Sequence, residues 1–161
     1  MIQASLTRFP LAFSQRLLLI FFMLSILFGA QGVAYAGTPA FSSSFSPTTI
    51  APGSISTLTY VIDNSANDTP VTNVTFTNTL PASVTLNSPI NMSDSCSGVV
   101  VASAGGSSVS YTLDRFPMGG TCEISVDVTS STSGTHTNTT GDLTSSGGNS
   151  GSTAASLVVD S

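Results

Sequence analysis

The chain reads Thr121-Cys122-Glu123-Ile124-Ser125-Val126-Asp127-Val128-Thr129 over nine consecutive residues, and polar and apolar side chains alternate strictly along it. The cysteine, the isoleucine and both valines fall in one phase, and the hydroxyl-bearing and acidic residues fall in the other. Successive side chains of a β-strand point to opposite faces of the sheet. The stretch therefore predicts a strand with one buried face and one solvated face.

The same period of two recurs elsewhere in the chain. The clearest further examples are 58–62, 74–76 and 109–111, and shorter candidates are 84–86, 99–102, 135–139 and 155–159. Clusters of Gly, Pro, Asn and Asp separate these segments, and no window after Gly37 has the pattern of a three-turn helix. We predict an all-β protein, an antiparallel immunoglobulin-like β-sandwich of about seven to nine strands.

A secretory signal peptide, predicted as a helix, is indicated over residues 1–36. Arg8 and Arg16 precede an apolar run that starts at Leu17, and Ala34-Tyr35-Ala36 puts small residues at the −3 and −1 positions of a peptidase site before Gly37. The predicted organisation is a leader at 1–36, a flexible lead-in at 37–44 and one sandwich domain at 45–161.

The alternative for this leader is an uncleaved membrane anchor. Leu17 to Ala36 spans 20 residues, and a helix of about that length crosses a bilayer. Gly29, Gln31 and Gly32 interrupt the second half of the run, which favours cleavage. Cleavage predicts a protein that is secreted or held at the cell surface, with no membrane segment left in it.

After cleavage the charge balance is strongly acidic. Eight acidic residues face Arg115 alone, a formal charge of −7, and the chain contains no Lys. Nucleic acids and anionic membranes are bound mainly through Lys and Arg, so neither is an expected partner. Ser and Thr make up 47 of the 125 residues from Gly37 onward, so the surface is polar mainly through its hydroxyl groups.

Cys96 and Cys122 are the only cysteines, and an exported protein meets an oxidising compartment. Cys122 lies in the buried phase of its strand, and Cys96 follows the polar turn Ser93-Asp94-Ser95. We predict a disulfide between them, rather than a metal site or a reactive thiol. A loop of this length gives a stabilisation of roughly 3–4 kcal/mol by the loop-closure estimate.

The mature sequence resembles the conserved repeat domain, a bacterial secreted and surface-protein family of unknown function with immunoglobulin-like modules. The matching stretches are Phe45–Gly53 leading into Ser56–Tyr60, Val74–Pro81, Gly119–Val126 with the two cysteines, and Gly134–Thr140. The resemblance implies a module of large, often repetitive surface proteins and no enzymatic activity. His136 departs from the pattern, since an aromatic residue such as Tyr is usual there, and the chain carries a single copy.

The residues offer little for catalysis or for a cofactor. His136 is the only histidine after Gly37, and its setting in an alternating segment favours a strand residue over a catalytic base. Asp63 and Asp68, with two Asn between them, are the candidate ligands for Ca²⁺, although Asn and Asp also favour turns for their own sake. We expect neither a catalytic site nor a required cofactor.

For a binding role, the best candidate contact residues are Arg115, Phe116 and Met118, because one turn brings together a cation, an aromatic ring and a methionine. The alternative is that Phe116 and Met118 cover the end of the core. The leading functional prediction is a non-enzymatic structural or interaction module whose partners are surface or extracellular proteins or glycans. An adhesin-type or calcium-dependent binding module and a pilus-type subunit are the alternatives.

We expect export to cleave the chain between Ala36 and Gly37, because the Ala-Tyr-Ala triplet presents small residues to the peptidase. Edman sequencing of the exported protein should begin at Gly37. Recovery of intact Met1 in the membrane fraction would show instead that the leader is retained as an anchor.

Overall fold

The computed structural model describes residues 37–161, which form thirteen β-strands and no helix. The predicted leader, including Ala36, lies outside the described residues. Within 37–161 no helix is long and apolar enough to cross a membrane. Seven strands have six residues or more: β1 Ala40–Ser46, β3 Ile55–Asp63, β4 Val71–Thr79, β8 Ser108–Phe116, β9 Thr121–Thr129, β10 Gly134–Thr139 and β13 Ala154–Val159.

Six shorter strands complete the three sheets. They are β2 Thr49–Ile50, β5 Thr85–Leu86, β6 Met92–Asp94, β7 Val99–Ala102, β11 Leu143–Ser145 and β12 Gly148–Gly151. Sheet A has the order β1-β3-β9-β5, with β6 also on β9; sheet B has β10-β13-β2; sheet C has β12-β11-β4-β8-β7. All pairs are antiparallel except β2 with β13. The predicted antiparallel immunoglobulin-like sandwich is confirmed. Residues 37–161 form thirteen strands rather than the predicted seven to nine, because six of them are too short to give a clear alternation in the sequence.

The stretch that predicted the fold is β9, at the centre of sheet A. Its register with β3 places Cys122 opposite Ile62 and Ile124 opposite Tyr60. All four of these side chains are fully buried. The alternation read from the sequence therefore identifies the buried face of both strands.

An aromatic cluster joins sheet A to sheet C across the core. The ring of Phe76 on β4 lies with its centroid 4.9 Å from that of Tyr60 on β3 and 5.0 Å from that of Phe41 on β1. On its own sheet it lies 5.7 Å from Tyr111 of β8. Tilted aromatic pairs at these separations are favourable beyond the area that they bury. The four rings hold the two layers in register.

The flexible lead-in predicted at 37–44 is wrong for most of its length. Residues 40–46 form β1 and pair with β3 over seven consecutive positions, from Ala40 opposite Asp63 to Ser46 opposite Thr57. This serine-rich segment is ordered because Phe41 and Phe45 pack on the core. The domain therefore starts earlier than residue 45.

Irregularities in β4 and β8 change which of their side chains face the core. Asn73 has φ of +53°, a left-handed conformation that Asn tolerates better than most residues. As a result Val71 and Val74 are both fully buried although three positions separate them. On β8 the alternation changes phase across from this point, where Arg115 is exposed opposite Thr72 and Phe116 is buried opposite Val71.

We expect Phe76→Ala to lower the free energy of unfolding by about 3–5 kcal/mol, since it removes the ring that contacts both sheets. Thr77→Ala, at an exposed position of the same strand, is the control and should change stability little. Denaturant unfolding of both variants checks the prediction. A loss of less than about 1 kcal/mol for Phe76→Ala would show that the cluster does not hold the sheets together.

Candidate functional site

The two regions that the sequence suggested for binding lie together at one end of the sandwich. The loop 64–70 joins β3 to β4, and the turn 117–120 joins β8 to β9. The backbone N–H of Asn64 donates to the carbonyl of Gly120 (2.8 Å), and the N–H of Gly119 donates to the carbonyl of Asn64 (3.1 Å). We call these two segments, with the adjacent Arg115, the end-loop surface.

The side chain of Asn64 fastens the end-loop surface from inside. It is fully buried, and its Nδ2 donates to the carbonyls of Pro117 (2.9 Å) and Thr69 (3.3 Å). Its Oδ1 accepts a hydrogen bond from Asn67 Nδ2 at 2.6 Å. A buried amide whose donors and acceptor are all satisfied rigidifies the groups around it. Asn64 therefore links both loops into one unit.

Of the three predicted contact residues, the structure exposes two. Met118 is 62% exposed and Phe116 only 1% exposed, while Arg115 lies on the surface. Phe116 as a partner contact is therefore wrong, because the ring points into the core next to Val71 of the neighbouring strand. The alternative, that Phe116 and Met118 both cover the end of the core, holds for Phe116 but not for the exposed Met118. Gly119, with φ of +70°, allows the turn that puts Met118 at the tip.

The candidate calcium ligands are engaged in hydrogen bonds within the loop or point to solvent. Asp63 Oδ1 accepts a hydrogen bond from the N–H of Ser65 (2.8 Å) and another from Thr121 Oγ1 (3.3 Å). Hydrogen bonding from Ser65, assisted by Thr121, lowers the pKa of the exposed Asp63 carboxyl. Asp68 is exposed. These contacts are those of a turn stabilised by Asp and Asn side chains. That calcium is not required stays a prediction.

The disulfide joins Cys96 to Cys122 with their Cα atoms 5.5 Å apart, as the sequence predicted. It ties the connection between β6 and β7 to the middle sheet-A strand β9. Within 37–161, the one group of three acidic, His or Cys side chains at ligating distance contains both cysteines and Asp94. Since the two sulfurs are bonded to each other, the group does not offer thiolate ligands.

Asp94 organises the turn around this disulfide. Its carboxylate accepts hydrogen bonds from the backbone N–H of Cys96 (2.9 Å) and of Gly98 (2.5 Å), and from the hydroxyl of Tyr111 (3.3 Å). Burial, and secondarily the charge of Asp94, raises the pKa of Tyr111. Gly98 is required here, because a Cβ would lie 2.5 Å from the Tyr111 ring. The start of β7 is thereby held close against the sandwich.

His136 lies in β10 opposite Leu157, as an alternating strand residue should. Its Nε2 is 2.8 Å from the carbonyl oxygen of Thr132. Because a carbonyl oxygen only accepts, the ring N–H donates this hydrogen bond. The ring therefore supports the loop before β10.

Sequence reasoning did not identify Asn64 and Asp94 as the residues that organise the loops. A signal was present for each, because both follow or end a strand and precede a turn. The sequence could not show that Asn64 would reach the carbonyl of Pro117, or that Asp94 would accept a hydrogen bond from Tyr111 in addition to those from the nearby N–H groups.

A family model described as a domain of unknown function (DUF7933) matches residues 39–159. The chain belongs to this family. The match runs from the start of β1 to the end of β13. The resemblance expected from the sequence, to a family of unknown function built of immunoglobulin-like modules, is confirmed at this level. The expected membership in the conserved repeat domain family stays a prediction. No curated protein matches the chain in sequence.

The DUF7933 domain is similar to several solved structures. A non-cellulosomal cohesin from the archaeon Archaeoglobus fulgidus has a TM-score of 0.54 at 12% identity, over 78% of this chain and 93% of that one. A collagen-binding domain from a Staphylococcus aureus adhesin has a TM-score of 0.49 at 11% identity, over 80% and 99%. The major pilin subunit BcpA of Bacillus cereus has a TM-score of 0.49 at 12% identity, over 75% and 39%. The cohesin likeness supports the sandwich fold.

We expect Asn64→Ala to lower the free energy of unfolding by about 1–3 kcal/mol, because the change removes a buried amide and leaves the carbonyls of Thr69 and Pro117 without their donor. The end loops should also exchange their amide hydrogens faster. Hydrogen exchange with mass spectrometry and denaturant unfolding measure both effects. Asp68→Asn, in the same loop but exposed, is the matched control and should behave as the native protein does. Unchanged exchange in Asn64→Ala would contradict the anchoring role.

Proposed function

We propose that this DUF7933 domain is a non-enzymatic structural and interaction module, secreted or held at the cell surface, that contacts an extracellular protein or glycan through its end-loop surface. The observation that carries the proposal is the display of Met118 on a turn fastened from inside by Asn64, beside the exposed Arg115 near the end of β8. A contact surface that is already ordered loses less conformational entropy on binding than a mobile one. Arg and Met are also enriched in protein interfaces.

The side chains available at this end favour binding over chemistry. Arg115 has the acidic Asp114 beside it in the chain, and both are exposed. Within the described part of the chain, the one histidine is occupied with a backbone carbonyl, and the one triad of potential metal ligands contains the disulfide. Nucleophilic catalysis needs a base within hydrogen-bond reach of the nucleophile. The arrangement supports recognition by shape and by a few polar contacts.

The alternative of a pilus-type subunit depends on a sandwich that lacks a strand and accepts one from a neighbour. Here β13 pairs with β10 on one side and with β2 on the other. Leu157 and Val159 of this strand are buried in the core. The C-terminal strand thus occupies the position that a donated strand would fill, which favours the self-contained module.

The proposal is tested with natively exported protein, using chemical cross-linking in the secretome and a glycan array. The double variant Arg115→Ala/Met118→Ala should lose partner binding with an unchanged melting temperature, since both side chains are exposed. Phe116→Ala is the control for the core and should lower the melting temperature by several degrees.

Repeating the assay with a calcium chelator separates a calcium-dependent module from the proposed one. Binding that survives the double variant would exclude the end-loop surface. Turnover of a glycan or peptide that His136→Ala abolishes would reject the non-enzymatic function.

A further inference from the structure

Strand β7 forms one edge of sheet C and pairs with β8 alone among the described strands. Its side chains alternate between the core and the outside. Val100 and Ala102 are partly buried against the core, whereas Val99 and Val101 are each 59% exposed. These two valines lie on the outer face beside Thr112 and Ser110 of β8. An edge strand also leaves N–H and C=O groups directed away from its sheet.

This edge is short, with four residues, but it lacks the side chains and irregularities with which proteins often block strand addition. Edges are usually protected by charged side chains, by Pro or by a bulge. Residues 95–110 contain no ionisable side chain other than Cys96, which is in the disulfide, and no Pro. By contrast, the sheet-A edge strand β6 carries Asp94.

Both ends of β7 are fastened, so the edge is held in its strand conformation. Before it, the disulfide and the Asp94 carboxylate fix the chain at Cys96 and Gly98. After it, the N–H of Gly105 donates to the carbonyl of Leu86 (3.0 Å), and the N–H of Leu86 donates to the carbonyl of Gly106 (2.8 Å). An edge that is ordered in advance loses little conformational entropy when another strand joins it.

We propose that β7 pairs antiparallel with β7 of a second copy of this chain, about a two-fold axis through Val100. An axis perpendicular to the sheet keeps the core faces of both copies on the same side. Residues that pair across the join must then have their side chains on the same face of the sheet. Because side chains alternate between faces, the two-fold axis has to pass through a residue and not between two residues. Centring on Val100 places Val99 of each copy opposite Val101 of the other. Four exposed valines then form one apolar patch across the join, and β-branched cross-strand pairs stabilise a sheet.

Charge favours a second copy over a charged partner. The mature chain carries a formal charge of −7, so two copies repel each other over most of their surfaces. The uncharged segment 95–110 is where two copies can meet with the least repulsion, and it offers a charged partner no ion pair.

A stable interface buries about 1,200–2,000 Å², which is more than a four-residue edge supplies. The dimer is therefore weak in solution and is favoured where many copies are displayed close together.

Charge variants of the exported protein test the pairing. In Val99→Lys/Val101→Lys, like charges stand directly opposite each other at the join, which destabilises the pair. Sedimentation at increasing concentration should show a reversible dimer for the native protein and an increase of about tenfold or more in the dissociation constant for this variant. Mixing it with Val99→Glu/Val101→Glu should restore dimers.

Thr77→Lys, an exposed position on β4, is the control and should dimerise as the native protein does. A native protein that stays monomeric at millimolar concentration, or a charge mixture that does not recover, would overturn the proposal.

Cysteine variants test the register. A mixture of Val99→Cys and Val101→Cys proteins should form disulfide-linked heterodimers on mild oxidation, because the two positions face each other. Digest mass spectrometry confirms in the same sample that the Cys96–Cys122 bond is intact and that the variants are folded. Cross-linking of Val101→Cys to itself, without heterodimers in the mixture, would overturn the axis at Val100.

Discussion

The contact of Phe76 with aromatic rings of both layers is the interaction on which the rest of the structure depends. Phe76 belongs to sheet C, yet it packs on Tyr60 and Phe41 of sheet A. Each aromatic pair contributes about 0.5–1.5 kcal/mol beyond the area that it buries. The hydroxyl of Tyr60 is satisfied by Asn78 Nδ2 at 2.7 Å, and burial raises the pKa of this tyrosine. With the layers fixed at the centre, the strand ends and loops have defined positions.

Sequence predicted the long strands well, because half-buried strands have the simplest pattern. The buried phases of β3, β4, β8 and β9 are visible in the alternation, and so is the pairing of the two cysteines. The pattern failed where its phase changes. Asn tolerates positive φ, but the alternation around Asn73 does not show that this residue adopts it. The change of phase on β4 lies across from the one on β8 that leaves Phe116 buried. The pattern failed also at β1, where serines separate Phe41 from Phe45 and the ordering comes from pairing with a distant strand.

The loops show why polar residues were harder to assign than apolar ones. Sequence placed Asp63 to Asp68 in one loop and suggested calcium, since the oxygen ligands of a cation site and the side chains of a tight turn are the same residue types. In the structure Asp63 ends β3 and its carboxylate accepts a hydrogen bond from Ser65. Asn64 turns inward to the carbonyl of Pro117, 53 residues away. Arg115 is the only Lys or Arg in residues 37–161, so amides and acidic side chains make these anchoring contacts through neutral or carboxylate hydrogen bonds. A buried anchor such as Asn64 depends on a tertiary contact, the hydrogen bond to Pro117, that no local pattern encodes.

A surface made mostly of hydroxyl groups also determines how this domain can meet other molecules. Long-range electrostatic steering speeds association between opposite charges, but residues 37–161 carry a formal charge of −7, with Arg115 as their only Lys or Arg. Ser and Thr side chains contribute little to binding hot spots. Specific contacts must therefore come from the few places where apolar side chains are exposed on a rigid backbone. Met118 at the end-loop surface and Val99 with Val101 on β7 are such places. In both, the backbone is fastened by a polar side chain, the buried Asn64 in one case and the half-buried Asp94 in the other. The rigidity of the contact surface therefore follows from the same hydrogen bonds that complete the fold.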